Sequence, residues 1–304
     1  MFDGILAASV DSAPTSLEAE LKQQQSLVRK KSAGGMVEDM SAPIVTSLVR
    51  VLKHKNLKVR IAALSTLSCL ALTVQEKLDA HFDLIFPELV KTIDETQSYE
   101  PILHALKVLR RLFRSYKPTM NASFRNSFDE IKTLLVKALN HEYSKVVKEG
   151  LRVAGSFLNT LRAPDTGSID AKFKAVSPEL YQAIVEKLKK VDIDIEVKAA
   201  SIIAAASLVS VCHSALAPAQ VEGVLQIYQD RLGNELTRDA ALKGLTMIAL
   251  NDAGGAGGAA GAKIPLSNLA MYLPCFFDLL KKTHRPLHLN TLECLAALTE
   301  RYPE

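Results

Sequence analysis

Residues 43–74 read PIVTSLVRVLKHKNLKVRIAALSTLSCLALTV, and this stretch decides the fold. Two apolar segments flank a short polar turn at Lys55 and Asn56. The first predicts a helix over 44–54. The second predicts a helix over about 57–74, with Val59, Ala63, Leu67, Leu70 and Val74 at spacings of 4, 4, 3 and 4. Such spacing holds one stripe on one side of a 3.6-residue helix, so the pair reads as a helical hairpin closed over an apolar seam.

The same plan recurs along the chain. Further pairs are predicted at 82–94 with 101–116, 125–140 with 144–161, 178–190 with 195–213, 218–232 with 235–250, and 266–282 with 286–302. Ile102, Leu106, Leu109 and Phe113 form the stripe of one second helix. In the next pair Phe128, Ile131 and Leu135 face Val147, Leu151, Ala154 and Leu158. Equivalent positions near the starts of the second helices are Val59, Ile102, Val147, Val197, Thr237 and Leu287, spaced by 43, 45, 50, 40 and 50 residues. A period in the forties is that of HEAT repeats, hairpins that bury their faces on their neighbours. Val59-Arg60 is a HEAT-type pair, with the valine inward and the cation wet. The fold class is therefore all-α: a HEAT-repeat α-solenoid (an armadillo-like superhelix) of about six helical hairpins. Its repeats are expected near 41–75, 79–117, 124–161, 172–213, 217–250 and 264–303, within a solenoid over 37–304.

The two spacings of 50 coincide with breaker-rich insertions, RAPDTGSID at 162–170 and AGGAGGAAGA at 253–262. Both are expected to loop out without disturbing the stacking. Residues 1–36 are polar, with Gly34 and Gly35 adjacent and room for a short helix at 17–27; a flexible N-terminal segment is expected. Ser144, Asp194 and Asn234 are candidate helix N-caps. Pro101 and Pro286 suit first turns, whereas Pro87 and Pro274 fall inside first helices and should kink them. There is no sustained apolar–polar alternation to support strands.

Composition sets bounds on function. The chain has 304 residues, 48% apolar and 23% charged, enough apolar content for a large core. The formal net charge of +4 is too mild to indicate a nucleic-acid partner by itself. Cys69, Cys212, Cys275 and Cys294 form no CxxC pair and lie in apolar runs. They read as reduced, packed thiols, which points to the cytoplasm or nucleus. Asp3 and Gly4 interrupt the first apolar stretch and no basic segment precedes it, so no signal peptide is read. The longest apolar run, 199–212, is read as a buried helix too short to cross a bilayer. No membrane partner is expected.

Catalytic patterns are missing. The glycine tract lacks the GxxxxGK spacing of a phosphate loop, and Ala260 stands where a dinucleotide motif would need glycine. His284 and His288 are four apart, but Pro286 lies between them and no HExxH follows. Cys212 and His213 are adjacent and point apart on a helix. Asp192 and Asp194 sit at an inter-helix turn, where capping accounts for them. No catalytic residue, cofactor, metal or small-molecule substrate is assigned.

One cluster invites a partner. Lys107, Arg110, Arg111 and Arg114, with Lys117, crowd the side of a second helix opposite its apolar stripe. Lys145, Lys148 and Arg152 lie on the next second helix, which stacking would bring alongside. An ordinary solvated face is one reading; an acidic protein partner on a ridge or groove is the other. Nucleic acid is disfavoured because no aromatic residues are interleaved for base stacking.

Four strings are distinctive: DIDIEVK (192–198), LQIYQDRLGNELTR (225–238), ALKGLTMIA (241–249) and LKKTHRPLHLNTLECLAAL (280–298). In content, order and spacing they resemble the central solenoid of the cullin-associated and neddylation-dissociated protein family, with weaker similarity back to about residue 41. The resemblance implies a non-catalytic regulator of cullin–RING ubiquitin ligases. Such a regulator wraps a cullin–RING core that lacks the ubiquitin-like modifier, competes with the substrate-receptor adaptor, and promotes receptor exchange in SCF complex assembly. The implied partners are the cullin and RING subunits, together with flanking repeats of the same scaffold. Family members are much longer and grip the core with repeats at both ends, and no family contact residue is carried over to a position here. Leu295, Leu298 and Tyr302 on the last helix lead to the expectation that another repeat follows. The fold alone also suits other HEAT-built adaptors, a nuclear transport receptor or a phosphatase scaffold.

Overall fold

The computed structural model describes residues 41–95, 98–115, 122–161, 169, 171–252 and 266–301. Among them are thirteen α-helices and no strand. In chain order they are α1 (Ser41–Leu52), α2 (Leu57–Val74), α3 (Phe82–Glu95), α4 (Tyr99–Ser115), α5 (Ala122–Asn126), α6 (Phe128–Leu139), α7 (Ser144–Thr160), α8 (Ala171–Lys189), α9 (Ile195–Cys212), α10 (Pro218–Gly233), α11 (Arg238–Asp252), α12 (Leu266–Leu280) and α13 (Arg285–Arg301). Twelve of them pair into six hairpins, α1/α2, α3/α4, α6/α7, α8/α9, α10/α11 and α12/α13. The second helices α2, α4, α7, α9, α11 and α13 pack side by side in one row, and the first helices form a looser row behind. This is a helical-repeat solenoid.

The register positions explain the stacking. Ile102, Val147, Val197, Thr237 and Leu287 are all buried, while Val59, in the first hairpin, is half-buried. Thr237 is a polar member of this series, and its hydroxyl donates to the Arg231 carbonyl at 2.9 Å. Helix α9 has no polar side to speak of, since it is buried between α7 and α11 and against α8. Its core serines bond their own helix: Ser201 to the Lys198 carbonyl at 2.8 Å and Ser210 to the Ser207 carbonyl at 3.2 Å.

Several expectations are corrected. The helix expected from 178 begins at Ala171, so Pro178 joins Pro87 and Pro274 inside helices. The helix expected over 125–140 is broken: the Ser127 hydroxyl turns back to the Ser123 carbonyl at 3.0 Å, separating α5 from α6. Asp194 caps α9 by accepting from Glu196 N–H at 2.8 Å; Asn234 accepts from Leu236 N–H at 2.9 Å but follows the last residue of α10 and closes the turn before α11, which starts at Arg238 and not at 235. Ser144 does not cap α7; it is the first helical residue, and Tyr143 before it makes no side-chain cap bond. Asn56, read only as turn, accepts from Lys58 N–H at 2.9 Å.

Cys69 is exposed, Cys275 is half-buried and packed against the core, and Cys212 and Cys294 are buried; burial pushes the Cys294 thiol up to about 11. The run at 199–212 belongs to an 18-residue helix, and α2 and α9 are both long and apolar enough to cross a membrane by length and composition. Packing rather than length accounts for α9, 72% of which is buried within the solenoid. Most of residues 1–36, 162–170 and 253–262, with Lys117 and Tyr302, lie outside the described residues.

Neighbouring hairpins are tied by side chains about one repeat apart in sequence. Lys137 meets Asp94 at 2.6 Å, Lys132 meets Glu179 at 3.1 Å, Lys187 donates to Asn140 at 3.1 Å, and Arg231 donates to the Leu188 carbonyl at 2.8 Å. Tyr272 donates to the Leu225 carbonyl at 2.6 Å, and Tyr228 to the Ile202 carbonyl. Burial raises both phenol pKa values, so the hydroxyls stay protonated and donate.

Tyr228 also fixes the identity of Gly244. A Cβ there would lie 2.7 Å from the ring Cε1 and 2.9 Å from the hydroxyl of Tyr228, whose ring is fully buried and cannot swing away. Gly244→Ala is therefore expected to cost about 1–3 kcal/mol in a urea titration. Gly223→Ala, with nothing within 4 Å of the added carbon, should instead gain about 0.5–1 kcal/mol from helix propensity. Equal effects at the two sites would refute the role given to Tyr228.

Candidate partner interface

A groove of about 940 Å³ runs across the row of second helices. Each helix contributes the residues that its 3.6-residue turn brings to that side. They are Arg110, Phe113 and Arg114 from α4; Leu151, Arg152, Gly155, Ser156 and Asn159 from α7; Glu196, Ala199, Ala200, Ile203, Ala204 and Ser207 from α9; and Asp239, Ala240, Lys243 and Met247 from α11. Glycine, serine and alanine dominate the floor, which lets an occupant approach the helix backbones closely.

Of the seven cations singled out in the sequence, all on α4 and α7, Arg110, Arg114 and Arg152 line this groove, and the seven are not one open patch. Arg110 points inward. Its Nε lies 2.7 Å from Oε1 of Glu149, a residue with a 3% exposed side chain. Both atoms are buried, and the contact is an ion pair without the alignment of a directed hydrogen bond. Arg152 approaches the other Glu149 oxygen at 3.6 Å. Burial lowers the Arg110 pKa, Glu149 opposes this, and the charges of Arg114, Arg152 and Arg111 lower it further. Lys148 is taken by Glu196 on α9 at 2.7 Å. Lys145 is exposed, its Nζ 6.0 Å from the centre of the Tyr143 ring. Lys107 and Arg111 are half-buried and Arg114 is exposed.

Sequence reading missed Glu149, Glu196, Asp239 and Lys243. Its signal was available: opposite charges 39 and 48 residues apart, Arg110 with Glu149 and Lys148 with Glu196, are one repeat apart. Asp239 and Lys243 pair with each other at 2.8 Å, and Asn290 donates to Asp239 from α13. Lys148 against Glu196 and Lys243 against Asp239 cancel, and the single charge of Glu149 is shared by Arg110 and Arg152. With Arg114 this leaves the groove a net charge of +2 concentrated at its α4–α7 end. Among the described residues no group of three or more His, Cys, Asp or Glu side chains could hold a metal ion, and His284 and His288 form none.

Comparison with known proteins agrees with the resemblance in the sequence. Residues 119–205 match the family model described as CAND1-like, TPR repeats. The chain is 27% identical over 268 residues to Cullin-associated NEDD8-dissociated protein 1 of Arabidopsis thaliana, covering 85% of this chain and 20% of that protein. It is 26% identical to the Dictyostelium discoideum protein of the same name, covering 75% and 18%. Similarity to Cullin-associated NEDD8-dissociated protein 2 of Mus musculus is 26%, covering 84% and 20%. The chain thus spans about a fifth of the length of the curated relatives it matches. Among solved structures, an engineered protein aligns with a TM-score of 0.60 at 18% identity, covering 84% of this chain and 98% of that one. A designed armadillo repeat protein aligns with a TM-score of 0.56 at 18% identity, covering 83% and 98%. These two likenesses concern the repeat fold alone.

Proposed function

We propose that this chain is a non-catalytic scaffold segment that engages a cullin–RING ubiquitin ligase core lacking its ubiquitin-like modifier. It works as one stretch of a longer solenoid that promotes substrate-receptor exchange. The observation that carries the reading is similarity to cullin-associated proteins across most of the described solenoid. The groove across the second helices supplies a surface on which such a partner could lie. Receptor exchange needs no chemistry from the scaffold: two partners whose sites overlap on the cullin lower each other's affinity. The cytoplasm or nucleus suits four free cysteines, since thiols stay reduced there.

The test is capture by the purified chain of a purified cullin–RING core in modified and unmodified forms. Retention of the unmodified core, with the modified core at least about tenfold weaker, is the expected result. Capture of neither form would remove the reading. Retention of a small GTPase or a phosphatase subunit instead would favour a transport or phosphatase adaptor.

A further inference from the structure

We infer that the groove over α4, α7, α9 and α11 binds a short acidic-then-apolar segment of polypeptide, with the acidic part on Arg114 and Arg152 and the apolar part over α9 and α11. The inference deepens the scaffold reading by naming the chemistry of the occupant.

Length follows from the architecture. Neighbouring helices lie about 9 Å apart, so crossing four of them covers roughly 27 Å. An extended chain advances about 3.3 Å per residue, so roughly eight residues span the groove. The polarity of the occupant follows from charge. At the α4–α7 end Glu149 is buried and offsets Arg110. Arg114 is exposed and the Arg152 side chain is 47% exposed, so both present charge to the groove. At the other end Asp239 and Lys243 neutralise each other. The lining between the charged groups there is Ala199, Ala200, Ile203, Ala204, Ala240 and Met247, which favours small or aliphatic side chains. A basic occupant would face repulsion at one end and gain no net attraction at the other. A uniformly acidic one would leave the apolar half unused.

The probe is a fluorescein-labelled octapeptide of four glutamates followed by alternating leucine and alanine, compared with the same peptide carrying four lysines. Anisotropy is read with the full chain at ionic strengths of about 0.05 and 0.15 M. The glutamate peptide should bind, and more weakly at the higher salt; the lysine peptide should not. Arg114→Glu combined with Arg152→Glu should weaken binding by at least about tenfold. Ala199→Trp, which fills the half-buried floor of α9, should do the same, while Lys281→Glu, outside the groove, should leave binding within about twofold. Circular dichroism melts of each variant establish that the solenoid is folded.

Absence of binding, equal binding of the lysine peptide, or indifference to both groove variants would overturn the inference. Sensitivity to the arginines but not to Ala199→Trp would also overturn it, because the ligand would then sit on a ridge. If the chain captures the cullin–RING core but ignores the peptide, the groove assignment fails and the scaffold reading stands. Peptide binding without core capture supports the groove assignment and removes the scaffold reading.

Discussion

Phe124→Ala is expected to lower the unfolding free energy by about 3–5 kcal/mol in a urea titration followed by far-UV circular dichroism. Phe124 lies on the short helix α5 and is fully buried. Its ring is the centre of an aromatic cluster, with centroids 5.5 Å from Phe82, 5.7 Å from Phe113, 5.3 Å from Phe128 and 6.1 Å from Phe157. Those partners come from α3, α4, α6 and α7, so one side chain joins two consecutive hairpins. Truncation removes the transfer energy of a whole ring, leaves a cavity that four helices would have to move to close, and ends four edge-on ring contacts. Phe277→Ala is the control, because that ring is 58% exposed and its loss should stay within about 0.5 kcal/mol. A loss below about 1 kcal/mol at Phe124 would mean that α5 is not part of the folded core.

Arg110→Met should destabilise the protein by about 2–3 kcal/mol. The substitution leaves the Glu149 carboxylate buried without its principal counter-charge. The figure lies below that for a fully buried pair because Arg152 is within 3.6 Å and the Arg110 side chain keeps 21% exposure. The decisive variant is the double replacement Arg110→Met with Glu149→Met. Removing both charges together costs neither an unpaired ion nor much volume, so the double variant should be more stable than Arg110→Met alone. If the two losses simply add, Arg110 and Glu149 do not act as a pair.

The hairpins were legible because their cause is local. Stripes such as Leu106, Leu109 and Phe113 follow from helical spacing, and repeat stacking turns each stripe into core. A helix end was read where a side chain performs the capping, as at Asp194, and misread where it does not, as at Ser144, or where it closes the turn ahead of the helix, as at Asn234 before Arg238. The break at Ser127 accompanies a serine hydroxyl that turns back on its own helix, and a mid-helix serine carries no mark of whether it will do so. The same distinction governs the groove. The positive residues of α4 and α7 stand out in the sequence, but which of them stay available depends on anions a repeat away. Glu149 looks like a surface residue in a string of lysines and arginines, and only the approach of α4 makes it interior. The run at 199–212 reads as a buried helix, and only the row of second helices turns Ala199, Ile203 and their neighbours into a groove floor.

Polar ties such as Lys137–Asp94, Lys132–Glu179 and Arg231 to the Leu188 carbonyl each connect one hairpin to the next. Mechanically, the chain is a series of short couplings rather than a girder. A twist imposed at one junction is taken up by its own tie and its own packing before it reaches the junction after next. The row of second helices is the stiffer rail and the row of first helices the more compliant one, so bending concentrates in the spacing of the first helices. The groove rides on the more closely packed rail, so a bend taken up between first helices would change its width less than it changes the spacing behind it.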